Sequence, residues 1–274
     1  MSVYSFLFAL VFGLYAISFV LYGLAVCVGR NIKWLQADVF FEIGFLLHTF
    51  FIFAEAHEAA VYLPITTFKE VLVFFAWSLG FVYMVLLRRV KHETFGLILL
   101  PFLLLFLGIS FLVADGKGVP PDYLSSHFFL IHILSAFIAY ASFSLSFIAS
   151  VLYLIQSHAL KSKQVGNFYH RLPPLKELER FIFHSVIWGV FLLGIAIVTG
   201  AFWSKSVFRT FIVREPKSIA SMITCLIYGL IFFLKTRALV GERRSVLFVL
   251  FAFMLVLFTF LGTSLFQTKL HVGI

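Results

Sequence analysis

Charged side chains are scarce in this chain of 274 residues. Asp, Glu, Lys and Arg together make up 12% of the sequence, which is about half of the usual share in soluble domains. Hydrophobic residues make up 62%, and the mean hydropathy is +1.06. Because so few charges cannot cover the surface of a soluble globule, the composition excludes a soluble fold for most of the chain.

Cysteine is also rare, and its positions exclude two kinds of redox chemistry. Cys27 and Cys225 both lie inside apolar runs, and the sequence contains no CxxC pair. A thiol–disulfide relay is therefore unsupported, and the missing CxxCH sequence means that the chain is not itself a c-type cytochrome.

Acidic residues are outnumbered by Lys and Arg, 12 to 21, which gives a net charge of +9. A basic chain can bind nucleic acid, but here the basic residues lie in short segments between apolar runs. That arrangement is typical of membrane proteins, whose cytoplasmic loops are rich in Lys and Arg. We therefore expect the lipid bilayer, and not nucleic acid, to be a partner of this chain.

The apolar runs predict an all-α polytopic transmembrane bundle of about eight spans, because a span needs about 20 apolar residues. The first run is too long for a signal-peptide core and is interpreted as a span. We expect a single transmembrane domain over residues 1–274. The predicted spans are 3–28, 36–55, 70–87, 95–113, 127–156, 181–203, 218–235 and 246–266.

The distribution of basic residues predicts the orientation of the bundle. Fourteen of the 21 Lys and Arg fall in one set of loops and seven in the other. The richer set should face the cytoplasm, which places both termini on the outer side of a bacterial inner membrane. Four of the seven outer basic residues lie in one loop, at about 204–217: Lys205, Arg209, Arg214 and Lys217. This cluster predicts either an anionic ligand or partner, or interfacial snorkelling of long side chains.

Small residues form a stripe on each of two predicted helices. Those of the fifth span recur in steps of three or four residues from Ser135 to Ser150, and those of the sixth, Ser185, Gly189, Ala196 and Gly200, follow in steps of four or seven. Such faces let membrane helices approach closely. We interpret both stripes as packing seams and assign them no chemistry.

Three histidines are candidates for a functional site. His48 lies within the second span, where an ionisable residue is a functional candidate, although a neutral imidazole bonded to a neighbouring helix is the alternative. His132 lies near the outer end of the fifth span and His271 follows the eighth, so both are expected on the outer side. Two imidazoles, a cationic loop and many aromatic residues suit haem, because iron takes neutral imidazole as an axial ligand and the propionates pair with Lys or Arg.

The predicted haem site therefore has three kinds of residue. His132 and His271 are the candidate iron ligands, and His48 is a further contact. The predicted propionate partners are Lys205, Arg209, Arg214 and Lys217, and the predicted ring cover is Trp203, Phe208 and Phe211. The acidic segment Glu55, His57, Glu58 and Glu70 matches no zinc motif and is interpreted as a re-entrant or interfacial connector.

Several segments resemble the CcsA/HemX group of cytochrome c assembly membrane proteins, which handle haem at the outer membrane face. After His48, PITTFKEVLVFFAW resembles the group's Pro and Glu followed by an aromatic helix. HILSAFIAYASFSLSFIASVLYL is similar to the helix that begins with a haem-facing His, here His132. The remaining similarities are LPPLKELERFIF, GVFLLGIAIVTGAFW, REPKSIASMITCLIYG and the last span with its terminal outer His271.

The chain also departs from the haem-attaching members of that group. They carry a tryptophan-rich loop ending in Trp-Asp-Pro, whereas this chain has Trp203 at the start of WSKSVFRTFIVREPKS and Arg214-Glu215-Pro216 at its end. The haem-ligating His that the group carries in the seventh span is missing here, and the matching position is about Phe233. The resemblance is closer to the HemX-like branch, and it implies non-covalent haem b and a haem transport or presentation role in cytochrome c biogenesis, not an enzyme.

Two other functions remain open from the sequence. The chain could be a membrane regulator or scaffold that controls a haem-biosynthesis enzyme through the cytoplasmic segment 157–180, which otherwise is an ordinary basic loop. A fixed cytochrome with His48 and His184 as ligands is weaker, because the two lie at different depths. The resemblance also allows a second cytochrome c assembly subunit as a partner.

Overall fold

The computed structural model describes residues 3–28, 34–87, 93–113, 126–162, 172–211 and 216–259. These residues form eight helices, and no strand occurs in them. The predicted all-α fold is confirmed. The helices are α1 (Val3–Val28), α2 (Trp34–Glu58), α3 (Phe68–Leu87), α4 (Glu93–Leu112), α5 (His127–Ser162), α6 (Leu175–Phe208), α7 (Pro216–Thr236) and α8 (Glu242–Leu257).

Seven of these helices, α1 to α7, are long and apolar enough to cross a membrane. Within a bilayer every backbone N–H and C=O must be bonded inside the protein, and a continuous helix achieves this within one segment. The helix α8 is described over 16 residues. The chain is thus a multi-pass membrane protein, while the predicted orientation of its termini stays a prediction.

The helices fall into two compact units. The first contains α1 to α4, and the second contains α5 to α8. In the first unit α1 packs on α2 and α4, and α3 packs on α4. In the second unit α5 and α6 form the main pair, and α7 and α8 pack on this pair and on each other. The expectation of a single transmembrane domain stays a prediction.

The helix α6 extends beyond its predicted span of 181–203 at both ends. Its first residues include Lys176, Glu177 and Glu179, and its last turn includes Lys205. The apolar part of a spanning helix needs to match only the hydrocarbon core of the bilayer, which is about 30 Å thick. The whole of α6, with 34 residues, is about 50 Å long. The predicted outer loop, 204–217, therefore begins within the last turn of α6.

A capping box fixes the start of α3. The backbone N–H of Glu70 donates to Thr67 Oγ1 at 3.2 Å, and Glu70 Oε2 accepts from the N–H of Thr67 at 3.0 Å. The same carboxylate oxygen accepts from the N–H and the hydroxyl of Thr66, at 2.6 and 2.9 Å. These bonds satisfy donors that have no partner within the helix. Glu70 therefore ties the last residues of the connector between α2 and α3 to the first turn of α3.

Candidate functional site

The second unit holds His132 against the backbone of α6. Nδ1 of His132 lies 2.7 Å from the carbonyl oxygen of Ala196. A carbonyl oxygen only accepts, so Nδ1 must carry the proton and donate it. In a neutral imidazole the proton on Nδ1 leaves Nε2 with the free lone pair. His132 is thereby prepared as a ligand through Nε2, because metal-binding histidines commonly donate their other ring N–H in this way.

Aromatic side chains surround this end of α5 and α6. The indole of Trp203 is nearly parallel to the His132 ring, at 9° and with 6.4 Å between centroids. Phe129 packs on Trp203 at 5.1 Å, and Phe128 stacks on Phe202 at 5.7 Å. Phe211 contacts Phe202 edge-on at 6.2 Å. The arrangement offers flat apolar surfaces beside the imidazole.

Basic residues lie at the same end of the second unit. Nζ of Lys205 is 4.1 Å from the centre of the Phe211 ring, and Lys217, in the first turn of α7, is close enough for its charge to act on His132. Arg209 ends α6 with a left-handed backbone at φ 62°, and its N–H donates to the Lys205 carbonyl at 3.1 Å. Ser204 Oγ donates to the carbonyl of Thr210 at 2.8 Å, which closes the turn.

Two predicted residues of this site fall outside the described residues, namely His271 and Arg214. The side chain of Phe208 is also outside them, although its backbone belongs to α6. The structure thus stacks Trp203 beside His132, and it places Lys205, Phe211 and Lys217 at the same end of the second unit. The meeting of His132 with His271 stays a prediction.

His48 belongs to the first unit and has a different environment. Its ring is fully buried, and Nδ1 lies 3.4 Å from the hydroxyl of Tyr15 on α1. Nε2 makes no hydrogen bond of standard geometry within the described chain, although the backbone of Val73 on α3 interacts with the ring. The imidazole is bonded to a neighbouring helix, as the alternative interpretation proposed. Its role in haem binding stays a prediction.

A second buried polar network in the first unit is not predicted by the sequence. The hydroxyl of Tyr22 donates to Asp38, and it lies 3.0 Å from the hydroxyl of Tyr83. Three helices therefore meet through one carboxylate and two phenols. A Cβ on Gly96 of α4 would lie 2.5 Å from the Tyr22 ring. Because Gly96 has no side chain, α4 can pack directly against this network. The acidic residue near the start of a span is the available sequence signal.

Histidines and carboxylates do not otherwise gather into a ligand set. Across the described ranges, no group of three or more His, Cys, Asp or Glu is placed to hold a metal ion. His184, the candidate for a fixed cytochrome, is exposed on α6. Within the described chain, His132 is therefore the imidazole whose geometry best suits a ligand.

The fold and composition define a multi-pass helical membrane protein. The chain belongs to the cytochrome c assembly protein family, whose family model matches residues 65–271. It is 32% identical over 214 residues to "Protein HemX" of Brevibacillus brevis, covering 75% of this chain and 77% of the relative. It is 29% identical over 168 residues to "Protein HemX" of Bacillus subtilis, 61% of each chain.

A third relative carries the other name of the group. The chain is 25% identical over 230 residues to "Cytochrome c biogenesis protein CcsA" of Guillardia theta, covering 77% of this chain and 76% of the relative. The resemblance to the CcsA/HemX group is therefore confirmed.

Proposed function

We propose that this protein binds haem b non-covalently and transports it or presents it at the outer face of a bacterial inner membrane for cytochrome c biogenesis. On this proposal it is a carrier and not an enzyme. Membership of the cytochrome c assembly family supports a role in cytochrome c biogenesis. The hydrogen bond of His132 to Ala196 supports the binding site, and it is the single observation on which the site depends.

The second unit supplies side chains for each part of the ligand. Nε2 of His132 would bind the iron, since its lone pair is left free when Nδ1 donates to Ala196. The indole of Trp203 and the ring of Phe211 would cover the porphyrin. Lys205 and Lys217 would pair with the propionates, because cations form the strongest hydrogen bonds with carboxylates.

The remaining predicted residues complete the proposal. His271 would supply the second axial ligand, and Arg209 and Arg214 would add positive charge beside the propionates. His48 would contact haem inside the first unit, where its ring would first have to leave the hydroxyl of Tyr15. A second assembly subunit would be the partner that receives the haem.

The test is an absorption spectrum of the purified protein in detergent, with and without added haem. We expect the parent to bind haem and His132→Ala to bind it more weakly, by more than about tenfold, because even second-layer changes at metal sites cost about 10- to 100-fold. The matched control is His127→Ala, since His127 is exposed at the first position of the same helix.

Two results would contradict the proposal. A parent protein that neither carries nor takes up haem would exclude haem binding. Equal haem affinity in His132→Ala and the parent, with a loss in His127→Ala, would show that the iron ligand is a residue other than His132. The bond of His132 to Ala196 would then have no role in haem binding.

A further inference from the structure

Gly200 of α6 lies directly beneath the edge of the His132 ring. A Cβ placed on Gly200 would be 2.6 Å from Nδ1 of His132 and 2.8 Å from Cε1. Real side chains essentially never approach this closely, so any residue other than glycine would force the imidazole to move. The ring therefore rests on the bare backbone of α6.

This close approach gives His132 access to one particular carbonyl. In an α-helix the carbonyl of residue 196 points along the axis toward residue 200, which donates its N–H to it. A side chain at position 200 would stand beside that carbonyl and shield it. Because Gly200 has none, Nδ1 of His132 reaches the Ala196 oxygen at 2.7 Å.

We propose that Gly200 is a positioning residue of the His132 site, which holds Nδ1 on the Ala196 carbonyl and so leaves Nε2 as the ligand atom. The inference rests on the proposed haem binding for its functional meaning, but the arrangement of the ring can be measured without haem. It gives the last residue of the small-residue stripe of α6 a role beyond helix packing.

Two other glycines of α6 provide matched controls for Gly200→Ala. Gly189 is equally crowded, since its added Cβ would lie 2.4 Å from the ring of Phe143, but that contact does not involve His132. Gly194 has open space, with no atom within 4 Å of an added Cβ. All three substitutions make the same chemical change within one helix.

The first measurement is haem affinity in the three alanine variants. We expect Gly200→Ala to weaken binding about 10- to 100-fold, the usual cost of losing a second-layer partner of a metal ligand. Gly189→Ala should lower thermal stability through overpacking but leave the affinity within about threefold of the parent, a smaller change than that second-layer cost. Equal losses of affinity in Gly189→Ala and Gly200→Ala would overturn the inference, because overpacking alone would then explain both.

The second measurement needs no haem. In protein labelled with ¹⁵N-histidine, nitrogen chemical shifts report which ring nitrogen carries the proton, and His132→Ala identifies the signal. We expect the proton on Nδ1 in the parent, in Gly189→Ala and in Gly194→Ala, and a loss of this preference in Gly200→Ala. An unchanged His132 signal in Gly200→Ala would overturn the inference.

The two measurements separate this inference from the proposed function. If the parent binds no haem, the proposed function fails, and the nitrogen shifts still decide whether Gly200 positions the ring. If the parent binds haem and Gly200→Ala behaves like Gly194→Ala in both measurements, the proposed function stands and the role of Gly200 is excluded.

Discussion

His48 and His132 show how the partner of one ring nitrogen decides what an imidazole can do. His132 donates from Nδ1 to a backbone carbonyl, which accepts only, so its tautomer is fixed. His48 faces the hydroxyl of Tyr15, which can donate or accept, so its tautomer is not fixed by that contact. The first ring keeps a free lone pair on Nε2, as a metal ligand would need, and the second is part of a packed core.

The packing of His48 leads to a stability prediction. His48→Ala should lower the free energy of unfolding by about 2–4 kcal/mol, because it leaves a cavity and an unpaired Tyr15 hydroxyl. Tyr15→Phe should cost about 1 kcal/mol. The double variant should cost less than the sum, since each change removes the same contact. Denaturation in detergent micelles measures all three. A nearly neutral His48→Ala would contradict the packing role.

The sequence predicts His132 as a candidate but not the contacts that make it one. Its position at the start of a span follows from the apolar run that begins there. Its bond to Ala196 depends on the register of two helices across 64 residues of chain, which no local pattern encodes. For the same reason the sequence predicts Gly200 only as a member of a packing stripe.

At the scale of the helix, capping and hydropathy set the ends of α3 and α6 in different ways. The start of α3 could be predicted from the apolar run alone, at residue 70, two residues from its observed start at Phe68, because the capping box of Thr67 and Glu70 begins the helix beside that run. The ends of α6 could not, because Lys176, Glu177 and Lys205 continue the helix beyond the apolar run. Charged residues end a hydropathy signal without ending a helix.

The capping box of α3 predicts the effect of a small substitution. Thr67→Ala should destabilise the protein by about 1 kcal/mol, because the N–H of Glu70 loses its acceptor. Thr67→Ser keeps a hydroxyl oxygen in the same place and should behave like the parent. Chemical denaturation in micelles compares the two variants. Equal stability of Thr67→Ala and Thr67→Ser would show that the hydroxyl contributes nothing to the start of the helix.

At the scale of the whole molecule, the distribution of Lys and Arg predicts which end of the second unit faces outward. The His132 end holds Lys205, Arg209 and Lys217. The opposite end of the same unit holds the ion pair of Lys235 with Glu179, together with Arg237, Arg243 and Arg244. Both ends are basic, so the orientation follows from the total over all loops and not from this unit alone.

Cysteine labelling tests this orientation directly. Ser206 and Thr236 are exposed near the ends of α6 and α7. Because α7 has 21 residues and is about 31 Å long, we expect the two sites on opposite sides of the bilayer. In a chain whose Cys27 and Cys225 are replaced by Ala, we expect a membrane-impermeant maleimide to label Ser206→Cys in intact cells. Thr236→Cys should react only after the membrane is opened. The reverse pattern would place His132 at the cytoplasmic face, where haem could not be presented for assembly outside.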